Sequence, residues 1–449
     1  MFNKVLVANR GAVAARVLRA LNAMNIHSVA VYSEADHHAP YLEMASQTFA
    51  IGPAAARESY LNQDTIIDVL TKSGADGLHP GYGFLSENAS FAQKVIDAGG
   101  QFIGPSPKWI DAMGHKTRAR DLAAQYGMPM SQGSEVLPDD NDAIIAAARK
   151  IGFPVLVKPA GGGGGIGMLP AKDEAELLTA VERSRSMASR GFGTTEVYLE
   201  KLIERPRHVE FQILGDQHGG AMHLFERDCS TQRRNQKVIE EAPGPLIPRD
   251  KAVAVADQIA GIMRTMGYDN IGTVEMLLGA DGSFNFLEMN TRLQVEHGVT
   301  EEVTGVDLVR AQIRSAAGEK LGDILPGKAE IKGHAIQARV YAEDPKNFFP
   351  SPGKLTVFRP PEGEGIRVDT GYAEGRDVTP HYDPMIAKVI VRAATREAAI
   401  DKLVEALGGF DIQGLKHNIP AVINILRSEQ FRSGRVHTGI IGEVTGKKV

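Results

Sequence analysis

The chain has a single cysteine, Cys229, among 449 residues, so no intrachain disulfide can form and a reducing compartment, the cytoplasm, is the expected setting. No apolar run approaches the ~20 residues that a membrane-spanning helix needs. The N-terminus enters a strand pattern at once, without a charged-then-apolar leader. Basic residues are not in excess: a formal net charge of −5 argues against a general nucleic-acid binder. Internal repeats and low-complexity tracts are lacking too. What remains is an ordinary globular composition at a length that suggests two or three domains.

Strand and helix patterns alternate from the start. Residues 4–8 read as a buried strand, followed by Asn9-Arg10-Gly11 and a helical pattern to Met24. Residues 28–32 form a second strand, and the alternation continues from 50 to 104. This predicts a parallel sheet covered by helices, a Rossmann-like domain over residues 1–115 without the strict dinucleotide fingerprint. Residues 116–330 hold the most unusual polar stretches, with a smaller α+β insert at 131–203. Residues 331–449 read as a mixed α+β domain, with a strand at 334–341 and an amphipathic helix at 396–407.

The densest polar stretch runs from 284 to 297. Read as one extended segment, it puts Glu288, Asn290, Arg292, Gln294 and Glu296 on one face. A solvated strand edge would not call for that order of mixed charges. Upstream, Gly272-Thr-Val-Glu275-Met-Leu-Leu278 is strand-like, and Gly279-Ala-Asp281-Gly282 is a turn signal. A hairpin about that turn sets Glu275 opposite Glu288. Paired like charges repel, and a bound hard cation reverses that term. Two carboxylates and an Asn carbonyl suit Mg²⁺ (or Mn²⁺), which shares substrate phosphates. Phosphoryl transfer from a nucleotide is the chemistry suggested.

A strand at 154–158 ends in Lys158, and glycines 161–165 follow without a break. Such a run is costly to order, and its backbone N–H groups can approach phosphate oxygens. It reads as a mobile lid, not a Walker A loop, because the lysine precedes the glycines. Lys158 at the end of an apolar strand needs an anion. Lys116 reads equally well as a surface helix lysine. The strand edge around Glu200, Lys201 and Ile203 could read an adenine.

With these residues in view, the chain resembles the ATP-grasp enzymes. It is similar to one branch of them, the biotin carboxylases, through His79-Pro-Gly-Tyr-Gly-Phe-Leu-Ser-Glu-Asn88, the stretch from Glu226 to Lys237, Ala342-Glu-Asp-Pro345 and Pro350-Ser-Pro-Gly353. The resemblance covers nearly the whole chain. It implies an α/β protein with a Rossmann-like N-terminal domain, an ATP-grasp central domain with a mobile lid, and a mixed α+β C-terminal domain. It also implies that ATP and bicarbonate give carboxyphosphate, whose CO₂ carboxylates N1′ of biotin.

Site roles follow from the same resemblance. Glu275, Glu288 and Asn290 would serve the metal. Lys116, Lys158, His208, Gly163, Gly164 and Gly165 would contact phosphates or ribose, with Gln232 and Asn235 near them. Glu200, Lys201, Ile203 and Leu277 would line the adenine site. Lys237, Arg292, Gln294 and the Val295 N–H would hold bicarbonate, Glu296 would be the general base, and Arg339 would stabilise the ureido enolate.

Several positions depart from the common family pattern. Ile166 stands where a basic residue is frequent, Asn235 where His is, Gly298 where Pro is, Ala12 where an acidic residue is, and Pro159 where a small residue is. Gly298 is expected to loosen the bicarbonate loop. The sequence contains neither an Ala-Met-Lys-Met biotinylation site nor a carboxyltransferase segment. A separate biotin carboxyl carrier protein and a separate carboxyltransferase are therefore expected, with a homodimer implied by the family. The alternatives are an ATP-grasp carboxylate–amine ligase and a silent nucleotide-binding regulatory subunit.

Overall fold

The computed structural model describes residues 1–161 and 166–446. Its first unit is a five-stranded parallel sheet of β1 (Lys4–Val7), β2 (His27–Tyr32), β3 (Gln47–Ala50), β4 (Gly77–His79) and β5 (Gln101–Phe102), in the order β3-β2-β1-β4-β5. Val5, Leu6 and Val7 are fully buried, so the apolar run is continuous rather than alternating. Helix α1 (Gly11–Ala23) packs on this sheet. Gly371 sits so close to its start that a Cβ there would lie 2.3 Å from the Gly11 carbonyl carbon, so only glycine fits.

The insert at 131–203 is a four-stranded antiparallel sheet of β6 (Gly133–Val136), β7 (Val155–Pro159), β8 (Leu169–Ala171) and β9 (Val197–Lys201), in the order β6-β9-β7-β8. Helices Asn141–Ile151 and Glu174–Phe192 supply it with a core of its own, including Ile144, Val157, Leu177 and Leu199.

The rest is organised by a larger antiparallel sheet. Its central part is β10 (Arg207–Gly215), β11 (Ala221–Arg233), β12 (Gln236–Ala242), β13 (Ile271–Leu278) and β14 (Phe284–Asn290). Further along come β15 (His334–Tyr341), the short β16 (Gly353–Lys354) and β17 (Val357–Arg359), β18 (Ile366–Thr370), the short β19 (Asp377–Val378), β20 (Met385–Ala393) and β21 (Asp411–Gln413). The sheet order is β14-β13-β10-β11-β12-β15-β20-β18. The pairing of Ile239 with Ala338 between β12 and β15 joins the central and C-terminal parts into one continuous sheet. Together, these layers have the α/β character expected from the sequence. Among the described residues, no helix is long and apolar enough to cross a membrane.

Two local expectations need correction. The extended segment does not run from 284 to 297: β14 stops at Asn290, and Glu296 is already the N-cap of helix His297–Thr304. The ladder with β13 ends at the Thr273–Asn290 pair. Beyond it, side chains rather than a strand partner reach the carbonyls of Leu293, Gln294 and Val295. Gly298 is likewise not in a loop but in the first turn of that helix, where a Cβ would lie 2.4 Å from Ile390 Cδ1. Its lack of a side chain serves close packing rather than looseness. Asn235 gains a structural reason: Arg234 and Asn235, both at positive φ, make the two-residue turn between β11 and β12, and asparagine tolerates that conformation.

Candidate active site

The β13–β14 hairpin folds as its turn signal predicts, with Gly279 N–H donating to Ser283 O and Gly282 at φ +79. Its register puts Glu275 directly across from Glu288. Both carboxylates line one cavity of about 1070 Å³. Lys116, at the start of helix Lys116–Gln125, reaches Glu288 at 3.2 Å. Asn290 gives its amide to Glu275 Oε1 at 2.9 Å and accepts from Arg292 Nη2 at 2.8 Å.

The same cavity is bordered by Lys158, Glu200, Lys201, Ile203 and Leu277. The anion that meets buried Lys158 is Glu200, 3.0 Å away. Burial pushes the Lys158 ammonium down, and Glu200 offsets that only in part. Arg120 holds Glu200 from the other side at 2.9 Å. Lys201 turns its ammonium onto the Gly152 and Phe153 carbonyls. His208, Gln232 and Asn235 also line the cavity, with Gln232 Nε2 bonded to Cys229 O at 3.1 Å. Gly163, Gly164 and Gly165 lie outside the described residues.

At the centre, Lys237 donates to three carboxylates: Glu210 at 2.6 Å, Glu275 at 2.8 Å and Glu296 at 2.7 Å. Burial lowers the Lys237 pKa, but Glu210, Glu275 and Glu296 outweigh it and hold the ammonium well above its ordinary range. Burial likewise pushes Glu275 up, and Lys237 and His208 bring it well below the usual carboxylate range. Glu296 is fully buried. The burial that would raise its pKa is outweighed by Lys237, Arg339 and Arg227, so it is held ionised. Arg339 reaches Glu296 at 3.0 Å and Glu240 at 2.5 Å. Arg292 and Gln294 close the group, with Arg292 Nη1 bonded to Gln294 Oε1 at 2.9 Å and Gln294 Nε2 to Glu275 at 3.1 Å. The Val295 backbone borders the same space.

Thus every described residue of the expected site faces one cavity. Sequence reasoning missed four that support it: Glu87, which accepts from Arg292; Glu210 and Glu240, both fully buried; and Arg227, which pairs with Glu210 at 2.6 Å. A signal existed for Glu210. His208, Glu210 and Gln212 alternate with Val209, Phe211 and Ile213 along β10, the same pattern used for β14.

The donors suit a hard divalent cation at Glu275, Glu288 and Asn290, all oxygen-bearing side chains on one hairpin. Around Lys237, three cations (Lys237, Arg227, Arg339) face four carboxylates (Glu210, Glu240, Glu275, Glu296), so a further positive charge is electrostatically welcome. The tightest clusters of ligand-type atoms among the described residues are His208–Glu210–Glu275 and Glu210–Cys229–Glu296. The first shares Glu275 with the expected set, whereas Glu288 stands outside both.

Comparison with known proteins agrees along the whole chain. Residues 1–110 match the model of the biotin carboxylase N-terminal domain, 115–324 the carbamoyl-phosphate synthase L chain ATP-binding domain, and 337–443 the biotin carboxylase C-terminal domain. The biotin carboxylase of Halalkalibacterium halodurans is 46% identical, over 98% of this chain and 97% of that protein. The biotin carboxylase of Pseudomonas aeruginosa is 45% identical, over 97% of each. Among solved structures, the biotin carboxylase domain dimer of Hydrogenobacter thermophilus 2-oxoglutarate carboxylase, in complex with MgADP, ADP and bicarbonate, superposes with a TM-score of 0.93 at 42% identity, covering 99% of both chains.

Proposed function

The chain belongs to the biotin carboxylase family, and from that we propose that it carboxylates the ureido N1′ of biotin on a separate carrier protein, using ATP and bicarbonate by way of carboxyphosphate. The observation that carries this reading is the double grip on Glu296. Lys237 and Arg339, one cation for each carboxylate oxygen, hold it in the cavity that also contains the Glu275–Glu288 pair.

Residues 1–115 serve as the N-terminal domain, 116–330 as the ATP-grasp domain with 131–203 as its lid, and 331–449 as the C-terminal domain. Glu200, Lys201, Ile203 and Leu277 receive the adenine, and Lys116, Lys158, His208, Gln232 and Asn235 the ribose and phosphates. Glu275, Glu288 and Asn290 would hold Mg²⁺, which when bound would neutralise charge on the transferring phosphoryl group.

Lys237, Arg292, Gln294 and the Val295 N–H orient bicarbonate. Glu296 is a poor base while both cations rest on it. As bicarbonate draws Lys237 away and the ureido oxygen draws Arg339, its proton affinity rises toward what a general base needs. It then takes the bicarbonate proton and releases it to solvent. When carboxyphosphate breaks down to CO₂ and phosphate, Glu296 serves as the conduit that carries the N1′ proton on to that phosphate, while Arg339 stabilises the developing enolate. A carrier protein supplies the biotin, a carboxyltransferase uses the product, and the chain works as a homodimer. The dimer formed by the similar 2-oxoglutarate carboxylase domain supports that last point.

The test is ATP hydrolysis measured with and without bicarbonate and free biotin. Dependence on bicarbonate, with carboxybiotin formed when biotin is present, is expected. ADP release that ignores both would overturn the reading, and stimulation by an amine acceptor instead would indicate a carboxylate–amine ligase.

A further inference from the structure

The chain between β14 and helix His297–Thr304 has no strand partner among the described residues, yet three successive carbonyls in it, of Leu293, Gln294 and Val295, are each held by a side chain. Arg292 Nη1 donates to Leu293 O at 3.3 Å, His297 Nδ1 to Gln294 O at 2.7 Å, and Lys388 Nζ to Val295 O at 2.9 Å. His297 and Lys388 are both fully buried and lie behind the loop rather than lining the cavity. Because a carbonyl only accepts, His297 carries its proton on Nδ1, and Nε2 is left without a hydrogen-bond partner.

A trans peptide is planar, with its N–H antiparallel to its C=O. The Gln294 carbonyl points back to His297, taking its Nδ1–H at 2.7 Å and, less closely, its backbone N–H at 3.3 Å, so the Val295 N–H of the same peptide unit points the opposite way, toward the cavity that Gln294, Val295 and Glu296 border. The Glu296 N–H is set likewise by the hold of Lys388 on Val295 O. We infer that His297 and Lys388 are positioning residues that aim and polarise the backbone donors of the anion site by gripping the carbonyls behind them. This rests on the bicarbonate reading given above.

Lys388 is an unusual choice for a merely structural bond. Its carboxylate partner, Asp369, is 3.3 Å away and is already paired with Arg19 at 2.5 Å and Arg367 at 2.9 Å. Removing one partner of a buried pair is destabilising because it leaves the other charge uncompensated, and Asp369 escapes that penalty by keeping Arg19 and Arg367. Lys388→Met is therefore expected to keep its thermal midpoint while raising the KM for bicarbonate at least about tenfold, because small displacements of aligned groups carry large rate penalties. The KM for ATP should stay within about twofold, since the nucleotide contacts are untouched.

His297 gives an independent arm should Lys388→Met fail to fold. His297→Leu removes the donor and should raise the bicarbonate KM, whereas His297→Asn returns an amide N–H near the Nδ1 position and should restore much of the loss. Folded variants with an unchanged bicarbonate KM, or with ATP and bicarbonate KM rising together, would overturn the inference. If the unsubstituted chain itself hydrolyses ATP without regard to bicarbonate, the functional reading falls and takes this inference with it. If that chain responds to bicarbonate and the variants match it, this inference falls alone.

Discussion

Glu87 accepts a hydrogen bond from Arg292 Nε at 2.7 Å and another from the Thr291 N–H at 3.1 Å, across more than two hundred residues of sequence. The N-terminal part thereby sets the aim of a guanidinium in the central site. A charge-assisted bond of this kind contributes about 1.5–3 kcal/mol. Because Gln keeps a neutral acceptor and Glu87 is partly exposed, Glu87→Gln should lose only about 0.6–1.4 kcal/mol of this, a roughly three- to tenfold rise in the bicarbonate KM with little change in the ATP KM. Steady-state kinetics with each substrate varied in turn checks it, and identical constants would refute it.

Glu288 is about a third exposed, at 35%, and its close ionic neighbour is Lys116. Removing its charge should therefore leave stability within about 0.5 kcal/mol, as for most surface changes. Turnover at saturating Mg²⁺ should be nearly abolished. A denaturation curve beside a metal titration of the ATPase separates the two effects. Unimpaired metal dependence would remove Glu288 from the ligand set.

Arg339 holds two buried carboxylates, so Arg339→Ala has a stability cost as well as a catalytic one. Glu296 keeps Lys237, but Glu240 is left with the Gln337 amide alone among the described residues, and that uncompensated carboxylate should destabilise the chain by about 3–5 kcal/mol. Burial already pushes Glu240 up despite Arg339, so it would take up a proton in the variant. Biotin carboxylation should fall further than bicarbonate-dependent ATP hydrolysis. Equal losses in the two assays would argue for a structural role alone.

Acid should weaken the site in a defined direction. The folded-state pKa values of Glu275 and Glu296 are depressed below their ordinary 4.5. Their contribution to stability is therefore complete above that value and is lost as pH falls through it toward the folded value. The thermal midpoint should decline below about pH 4.5 for this reason. Lys237→Gln reverses the sign. Glu210, Glu275 and Glu296 then crowd together without their shared cation, at least one is raised, and the variant should gain stability on mild acidification. Calorimetry across pH 4 to 8 (roughly the span over which carboxylates and histidines titrate) would test it, and parallel curves for the two proteins would count against it.

Much of this architecture could be read from the residues. The turn at Gly279–Gly282 and the alternation on both sides of it were enough to pair Glu275 with Glu288. The strand His334–Tyr341 and the helix beginning at Arg396 stand where their patterns put them. Alternation misled only past Asn290, where the polar residues keep a two-residue spacing although the backbone has left the sheet. Those side chains converge because the chain turns around them. The anion facing Lys158 was also illegible, since Glu200 is 42 positions away. Glu240 meets Arg339 only because β12 and β15 are neighbours in the sheet. Residue types announce that a charge needs a partner; topology chooses which one.

One sheet runs without a seam from the hairpin bearing Glu275 to the strands that carry Arg339 and Lys388. The carboxylate pair and the arginine are thus fixed to one plank, with no hinge line between them. The four-stranded unit, with its private core, carries Lys158 and Glu200 instead, so a displacement of it would carry those two groups along and leave the plank's own spacings intact.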